Sequence, residues 1–125
     1  MKRFLLVMLL SCTMYSAVGC ASANYVSHPG AVNVFSSQAY DTLVATDAVI
    51  KATEADLNNN AFPVAWVPAI KKSLNVLIQS YDVANISWQA YNAAATPTNQ
   101  TVLQQNLTSV NMATTALSTT KATGN

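Results

Sequence analysis

Residues 67–91 read VPAIKKSLNVLIQSYDVANISWQAY, and this stretch decides the fold. Its apolar side chains recur at alternating steps of three and four residues. They are Val67, Ile70, Leu74, Leu77, Tyr81, Ala84, Trp88 and Tyr91. An α-helix has 3.6 residues per turn, so these steps place the apolar side chains on one face of a helix. The stretch therefore predicts a long amphipathic helix at the centre of the fold.

A second helix is predicted upstream of this stretch. Leu43, Ile50 and Leu57 repeat every seven residues, which is typical of one buried helix face. Ser36 precedes them and is a residue type suited to cap a helix N-terminus. The three asparagines at 58–60 end the helix, because asparagine tolerates the left-handed conformation found at helix C-termini.

A third helix is predicted downstream, with Thr96 as its cap and Pro97 in its first turn. Its apolar side chains again follow helical spacing. They are Leu103, Leu107, Val110 and Leu117, with Thr114 at the same spacing. Short connections make neighbouring helices antiparallel. The sequence therefore predicts an all-α, up-down-up three-helix bundle over residues 36–119, followed by a frayed tail at 120–125.

Composition argues against several classes of function. Only 9% of the residues are charged, compared with about 25% in an average soluble protein. Without Lys2 and Arg3, four lysines and five acidic residues remain, which gives a net charge of −1. A protein without a basic surface does not attract nucleic acid, so we expect no nucleic-acid partner.

The first nineteen residues have the three-part pattern of a secretory signal. Residues 1–3 are cationic in two of three positions, residues 4–10 are all apolar, and residues 11–19 end in small side chains. The apolar run is too short to cross a bilayer, which takes about 20 residues. We therefore expect residues 1–19 to be an export signal.

The end of this signal, Ala17-Val18-Gly19-Cys20, resembles the lipobox of bacterial lipoproteins. The sequence departs from that family's pattern at Ala17, where the family usually has leucine. The resemblance implies that a dedicated peptidase cuts before Cys20 and that the Cys20 thiol carries a diacylglyceryl group. Ala21 follows the cysteine in place of the aspartate of inner-membrane retention signals. By resemblance, the protein is anchored in the bacterial cell envelope, on the periplasmic face of the outer membrane.

Two other ways of processing the signal remain open. Leu9-Leu10-Ser11-Cys12 also fits the letters of a lipobox, although it leaves a shorter apolar region before the cut. Ala21-Ser22-Ala23 is an A-x-A site for ordinary signal peptidase. A cut after Ala23 releases a soluble secreted or periplasmic chain that starts at Asn24.

The sequence offers little for catalysis. The only histidine, His28, lies in a Ser-His-Pro-Gly turn within residues 20–35, which read as the lipidated N-terminus and a flexible tether. Nucleotide-binding and metalloprotease motifs are missing. We therefore expect no enzyme activity, no cofactor and no metal site. The pairing of this turn with a helical body loosely resembles small, uncharacterised exported bacterial proteins, which implies no site.

Two sets of side chains on the central helix are candidates for binding. Val76, Val83 and Ile86 lie away from the main apolar face, so they are either covered by neighbouring helices or form a surface for a protein partner. The aromatic residues are either core or the lining of a slot for a small apolar ligand. They are Trp66, Tyr81, Trp88 and Tyr91. The leading hypothesis is a structural or protein-interaction role, and the alternative is a carrier.

Processing of the signal can be tested by mass spectrometry of the mature N-terminus. We expect a tri-acylated chain that begins at Cys20, and we expect a Cys20→Ser variant to carry no acyl group. A mature chain that begins at Asn24 would show that the protein has no lipid anchor.

Overall fold

The structure, a computed structural model, describes residues 28–125. It contains helix α1 (Val34–Asn58), helix α2 (Val67–Ala93) and helix α3 (Pro97–Thr123), with a 3-10 turn at Val64–Trp66 directly before α2. The part described has no β-strand. The predicted all-α, up-down-up bundle is confirmed. The predicted signal, Cys20 and the first part of the tether lie outside the described residues.

Several predicted helix ends are also confirmed. Helix α2 begins at Val67, as the sequence predicts, and ends at Ala93, two residues beyond the stretch 67–91. The Thr96 hydroxyl accepts a hydrogen bond from the backbone N–H of Asn99 and so caps α3. Helix α1 ends at Asn58, and Asn60 has a φ of 54°, the left-handed conformation expected in this turn.

Helix α2 lies at the centre and contacts both other helices. The largest fully buried apolar side chains come from α2 and α3. They are Ile70, Leu77, Leu103, Val110 and Leu117. Helix α1 adds Leu43 and Ile50 to the same core. Each such side chain contributes about 1.5–3 kcal/mol when it is removed from water, so packing is the main source of stability.

Helices α2 and α3 form the most extensive helix pair, and part of the seam between them is small and polar. The Asn106 side-chain amide donates to the Ser87 hydroxyl. Nearer the other end, the hydroxyls of Ser73 and Thr120 are 3.1 Å apart and share a hydrogen bond. Buried polar groups are tolerated because they find partners across the seam.

The predicted frayed tail at 120–125 is helical as far as Thr123. Thr120 is buried against α2, and Gly124 adopts a left-handed φ of 76° that ends the helix. Most threonine and serine hydroxyls of α3 donate to the carbonyl four residues earlier, which satisfies them without breaking the helix. The low helix propensity of threonine is therefore outweighed by packing.

Lys121 ties this end of α3 to α1. Its ammonium group lies 3.5 Å from an Asp56 carboxylate oxygen, donates to the Thr53 hydroxyl and sits 5.7 Å from the centre of the Phe62 ring. These contacts span α1, α3 and the loop between α1 and α2. They hold the C-terminal turn in place where the sequence predicted fraying.

The N-terminus of α1 differs from its prediction. Helix α1 begins at Val34, and its cap is Asn33 rather than Ser36. The Asn33 side chain accepts a hydrogen bond from the Ser36 N–H at 2.9 Å and donates one to the Tyr91 hydroxyl at 2.9 Å. Because this amide caps α1 and bonds to α2 at the same time, Ser36 is free to be buried between the helices.

The predicted flexible tether ends earlier than residue 35, because His28 is already docked on α1. Its Nε2 lies 2.6 Å from an Asp41 carboxylate oxygen, and its backbone N–H donates to the Ser37 hydroxyl at 3.2 Å. The imidazole also packs on Tyr40, with ring centres 4.8 Å apart. His28 is thus not the solvated turn residue that the sequence suggested.

Two glycines with positive φ provide a matched test of the C-terminal packing. A Cβ added to Gly124 would lie 2.4 Å from the Trp66 indole nitrogen, whereas one added to Gly30 would lie 3.9 Å from Trp88. We expect Gly30→Ala to lower the free energy of unfolding by about 1–2 kcal/mol, the strain of an alanine in the left-handed conformation. Gly124→Ala should cost more, because the indole must also move.

Urea unfolding of both variants measures this difference, and hydrogen exchange locates it in the last turn of α3. A Gly124→Ala variant no less stable than Gly30→Ala would show that the indole contact contributes nothing.

Candidate functional site

The best candidate site is the apolar strip formed by Val76, Val83 and Ile86 on α2. Their side chains are 49%, 50% and 65% exposed, so no neighbouring helix among residues 28–125 covers them. The sequence left open whether neighbouring helices cover these side chains or leave them exposed, and in the described bundle they are exposed. Ala90, at the C-terminal end of the same side of α2, is also exposed.

The N-terminal part of this strip borders α3. A shallow depression of about 330 Å³ lies between the two helices. It is lined by Ala69, Lys72, Ser73 and Val76 from α2, by Ala113, Ala116 and Thr120 from α3, and by Asn125. Small side chains form most of its walls. The strip and the depression together make a largely uncharged surface that can accept an apolar side chain of another molecule.

The four aromatic residues proposed as a ligand slot do not form one. Trp66 and Tyr91 are 25 residues apart on a continuous helical path, which corresponds to roughly 37 Å. Trp66 packs against Gly124 at one end of the bundle, and Tyr91 packs edge-on against Phe35 at the other, with ring centres 5.3 Å apart. The depression beside Val76 contains none of these aromatic residues.

Trp88 and Tyr81 have structural partners of their own. The Trp88 indole N–H donates to the Ser36 carbonyl at 2.8 Å, and its ring packs against Tyr40. Burial raises the pKa of the Tyr81 phenol, and the nearby Asp47 carboxylate raises it further. Tyr81 is partly buried and packs against the core.

The charged groups near Tyr81 pair with each other. Lys51 lies 2.6 Å from an Asp47 carboxylate oxygen, as its i,i+4 spacing predicts. This hydrogen bond and the Asp47 charge raise the pKa of Lys51. The pair is exposed at the surface of α1, where such interactions contribute little to stability.

The described residues contain no group of three or more histidine, cysteine, aspartate or glutamate side chains placed to bind a metal ion. His28 is bonded to Asp41, and Ser37 accepts from the His28 backbone N–H. These three residues therefore attach the N-terminal segment to α1. Within residues 28–125, no helix is both long and apolar enough for a membrane span.

Sequence reasoning missed the asparagines that join the helices. Asn33 links α1 to Tyr91, and Asn106 links α3 to Ser87. Asn99 donates to the Ala94 carbonyl at 2.8 Å and so closes the connection between α2 and α3. For Asn33 and Asn99 the only sequence signal is a position near a helix end, which also fits a solvated loop residue. Asn106 lies inside α3 and has no such signal.

Comparison with known proteins gives no further guidance. No protein-family model matches the chain, and neither the curated proteins nor the solved structures include a match.

Exposure of the strip leads to a stability prediction. A Val83→Lys/Ile86→Lys variant should keep the free energy of unfolding of the unchanged protein to within about 0.5 kcal/mol per site, because surface substitutions of this kind have small effects. Leu77→Ala is the matched control on the same helix. Leu77 is fully buried, so we expect a loss of about 2–5 kcal/mol.

Circular dichroism during thermal unfolding measures both variants. If the double lysine variant lost as much stability as Leu77→Ala, the strip would be part of the core.

Proposed function

We propose that this protein is a non-enzymatic, lipid-anchored component of the bacterial cell envelope that binds another protein through the strip Val76, Val83 and Ile86. The lipid on Cys20 places the bundle at a membrane, and the strip supplies the binding surface. The observation that carries the proposal is the exposure of three large apolar side chains on the central helix, which contacts both of the other helices.

The dimensions of the strip suggest how a partner binds. Val76 and Ile86 are ten residues apart, which is roughly 15 Å along the helix. This length matches about three turns of a partner helix that lies along α2. A side chain from that partner can enter the depression next to Val76, as side chains of an amphipathic helix do when the helix docks on an apolar groove.

The carrier alternative receives less support from the geometry. The aromatic side chains named for it lie at both ends and in the middle of the bundle, and each packs against residues of the protein. A ligand slot would require several of them to converge on one cavity.

In vivo photo-crosslinking tests the interaction surface directly. A photoreactive residue at Val83 should form a discrete crosslinked product with an envelope protein, whereas one at Asp82 should form much less. Both positions are exposed, but they point about 100° apart around α2. The Asp82 variant therefore controls for nonspecific proximity.

The crosslinked product should also disappear when Ile86→Lys is added to the Val83 reporter. Equal products from Val83 and Asp82, or a product that survives Ile86→Lys, would contradict a specific partner surface on this strip.

A further inference from the structure

Charges are distributed unevenly along the bundle. Residues 83–120 contain no aspartate, glutamate, lysine or arginine, and neither do residues 28–40. Hydrogen bonds bring these two uncharged stretches together at one end of the bundle, where the Trp88 indole donates to the Ser36 carbonyl and Asn33 donates to Tyr91. The opposite end carries Asp56, Lys71 and Lys121.

The end formed by these two stretches, next to which the Asp41 carboxylate pairs with His28, also exposes apolar side chains. Val32, Val34 and Val102 are 50%, 45% and 43% exposed. Residues 93–97, where α2 ends and α3 begins, add three exposed alanines and Pro97. We call this surface the uncharged cap, defined by Val32, Val34, residues 93–97 and Val102. It is separate from the strip on the side of α2, since it covers the end of the bundle.

The chain enters the bundle at this same end. His28 is fixed by Asp41 and Ser37 at the start of α1, and Gly30 lies next to Trp88. Eight residue steps separate Cys20 from His28, so they span at most about 29 Å even when fully extended. The bundle itself is roughly 40 Å long. A lipid on Cys20 therefore confines the cap to within about 29 Å of the membrane, whereas the opposite end can lie roughly 40 Å further away.

We propose that the uncharged cap rests on the surface of the lipid bilayer, so that the bundle stands on its anchor with the charged end away from the membrane. The inference rests on the proposed function for the anchor at Cys20. The occupant is lipid rather than protein because the short attachment holds this end, and not the opposite one, near the bilayer in every orientation of the bundle.

The chemistry of the cap fits the interfacial region of a bilayer. Valine, alanine and proline enter the boundary between headgroups and acyl chains without the cost of moving a charge out of water. Contact need not be strong in itself. A linker of this length makes the contact intramolecular, with an effective concentration in the millimolar range, so a weak affinity is sufficient. Since the cap has no basic side chains, contact should not depend on anionic lipid.

Fluorescent reporters at the two ends test the orientation of the full protein. After processing at Cys20, whose thiol is blocked by the lipid, the mature chain has no free cysteine. A cysteine at Val102 or at Val64 is then the only site for labelling. Val64 is 88% exposed and lies just before α2, at the charged end. Each labelled protein is purified from membranes and reconstituted into phosphatidylcholine vesicles that contain a headgroup-region quencher.

We expect the Val102 reporter to be quenched at least threefold more than the Val64 reporter, with or without phosphatidylglycerol in the vesicles. Equal quenching would show that the bundle moves freely or lies flat, and stronger quenching at Val64 would show the reverse orientation. Each of these results would overturn the inference. Quenching at Val102 that requires phosphatidylglycerol would also overturn it, because the contact would then be electrostatic.

Lysine substitutions provide the matched variants. With the reporter moved to a cysteine at Ala95, Val32→Lys/Val102→Lys should reduce quenching by at least half, whereas Val64→Lys should leave it unchanged. All three valines are at least 43% exposed, and the thermal melt verifies that the fold is kept. No reduction in the double variant would show that the cap is not in contact with lipid.

Mass spectrometry of the same preparations separates the two proposals. An acylated Cys20 with an unquenched Val102 reporter overturns the cap and leaves the anchor in place. A mature chain that begins at Asn24 removes the anchor. Quenching of its Val102 reporter on addition of vesicles would still support contact by the cap, and lack of quenching would overturn it.

Discussion

The docking of α1 on α2 through Trp88 determines how the rest of the bundle is organised. The indole N–H bonds to the carbonyl of Ser36, and the ring packs on Tyr40 and beside Gly30. Helix α1 makes far fewer contacts with α3 than with α2, so its position depends on α2. The Trp88 contacts therefore fix both the first turn of α1 and the point at which the chain enters the bundle.

A second set of polar contacts holds α1 at its other end. Lys121 reaches across from α3 to Asp56 and Thr53. Between these two ends, α1 packs through Leu43 and Ile50. Apolar packing supplies most of the stability, whereas the hydrogen bonds at the ends select one register, because a shift of α1 along α2 would leave buried polar groups without partners.

Much of the fold could be predicted because it depends on local sequence. The heptad-like spacing of 67–91 and the Thr96-Pro97 pair specify helix bounds without knowledge of the rest of the chain. The errors occur where tertiary contacts decide. Both Asn33 and Ser36 are suitable caps, and the choice of Asn33 depends on Tyr91, 58 residues away. Similarly, whether the C-terminal turn is helical or frayed depends on the contacts of Lys121 and Trp66.

The candidate strip also shows that local sequence does not reveal what tertiary contacts decide. Periodicity alone places Val76, Val83 and Ile86 off the main apolar face, but whether they are covered depends on the position of α3 around α2. The ligand slot, in contrast, could have been rejected from sequence, because 25 residues of helix separate Trp66 from Tyr91. Side chains that share one face of a helix do not share one site unless they are also close along its axis.

The lack of charge over residues 83–120 leaves α3 with few groups that favour contact with water, but it also gives the bundle an end that would fit against a membrane. Helix α3 relies on hydroxyl and amide groups for contact with water, and its hydroxyls are largely bonded to its own backbone. Such a helix is poorly protected against association with other apolar surfaces. An anchor that brings the uncharged end to a membrane would place part of this surface against lipid, and it would direct the charged end and the sides of the bundle toward water. The side of α2 that carries Val83 would then remain open to a partner in the same compartment.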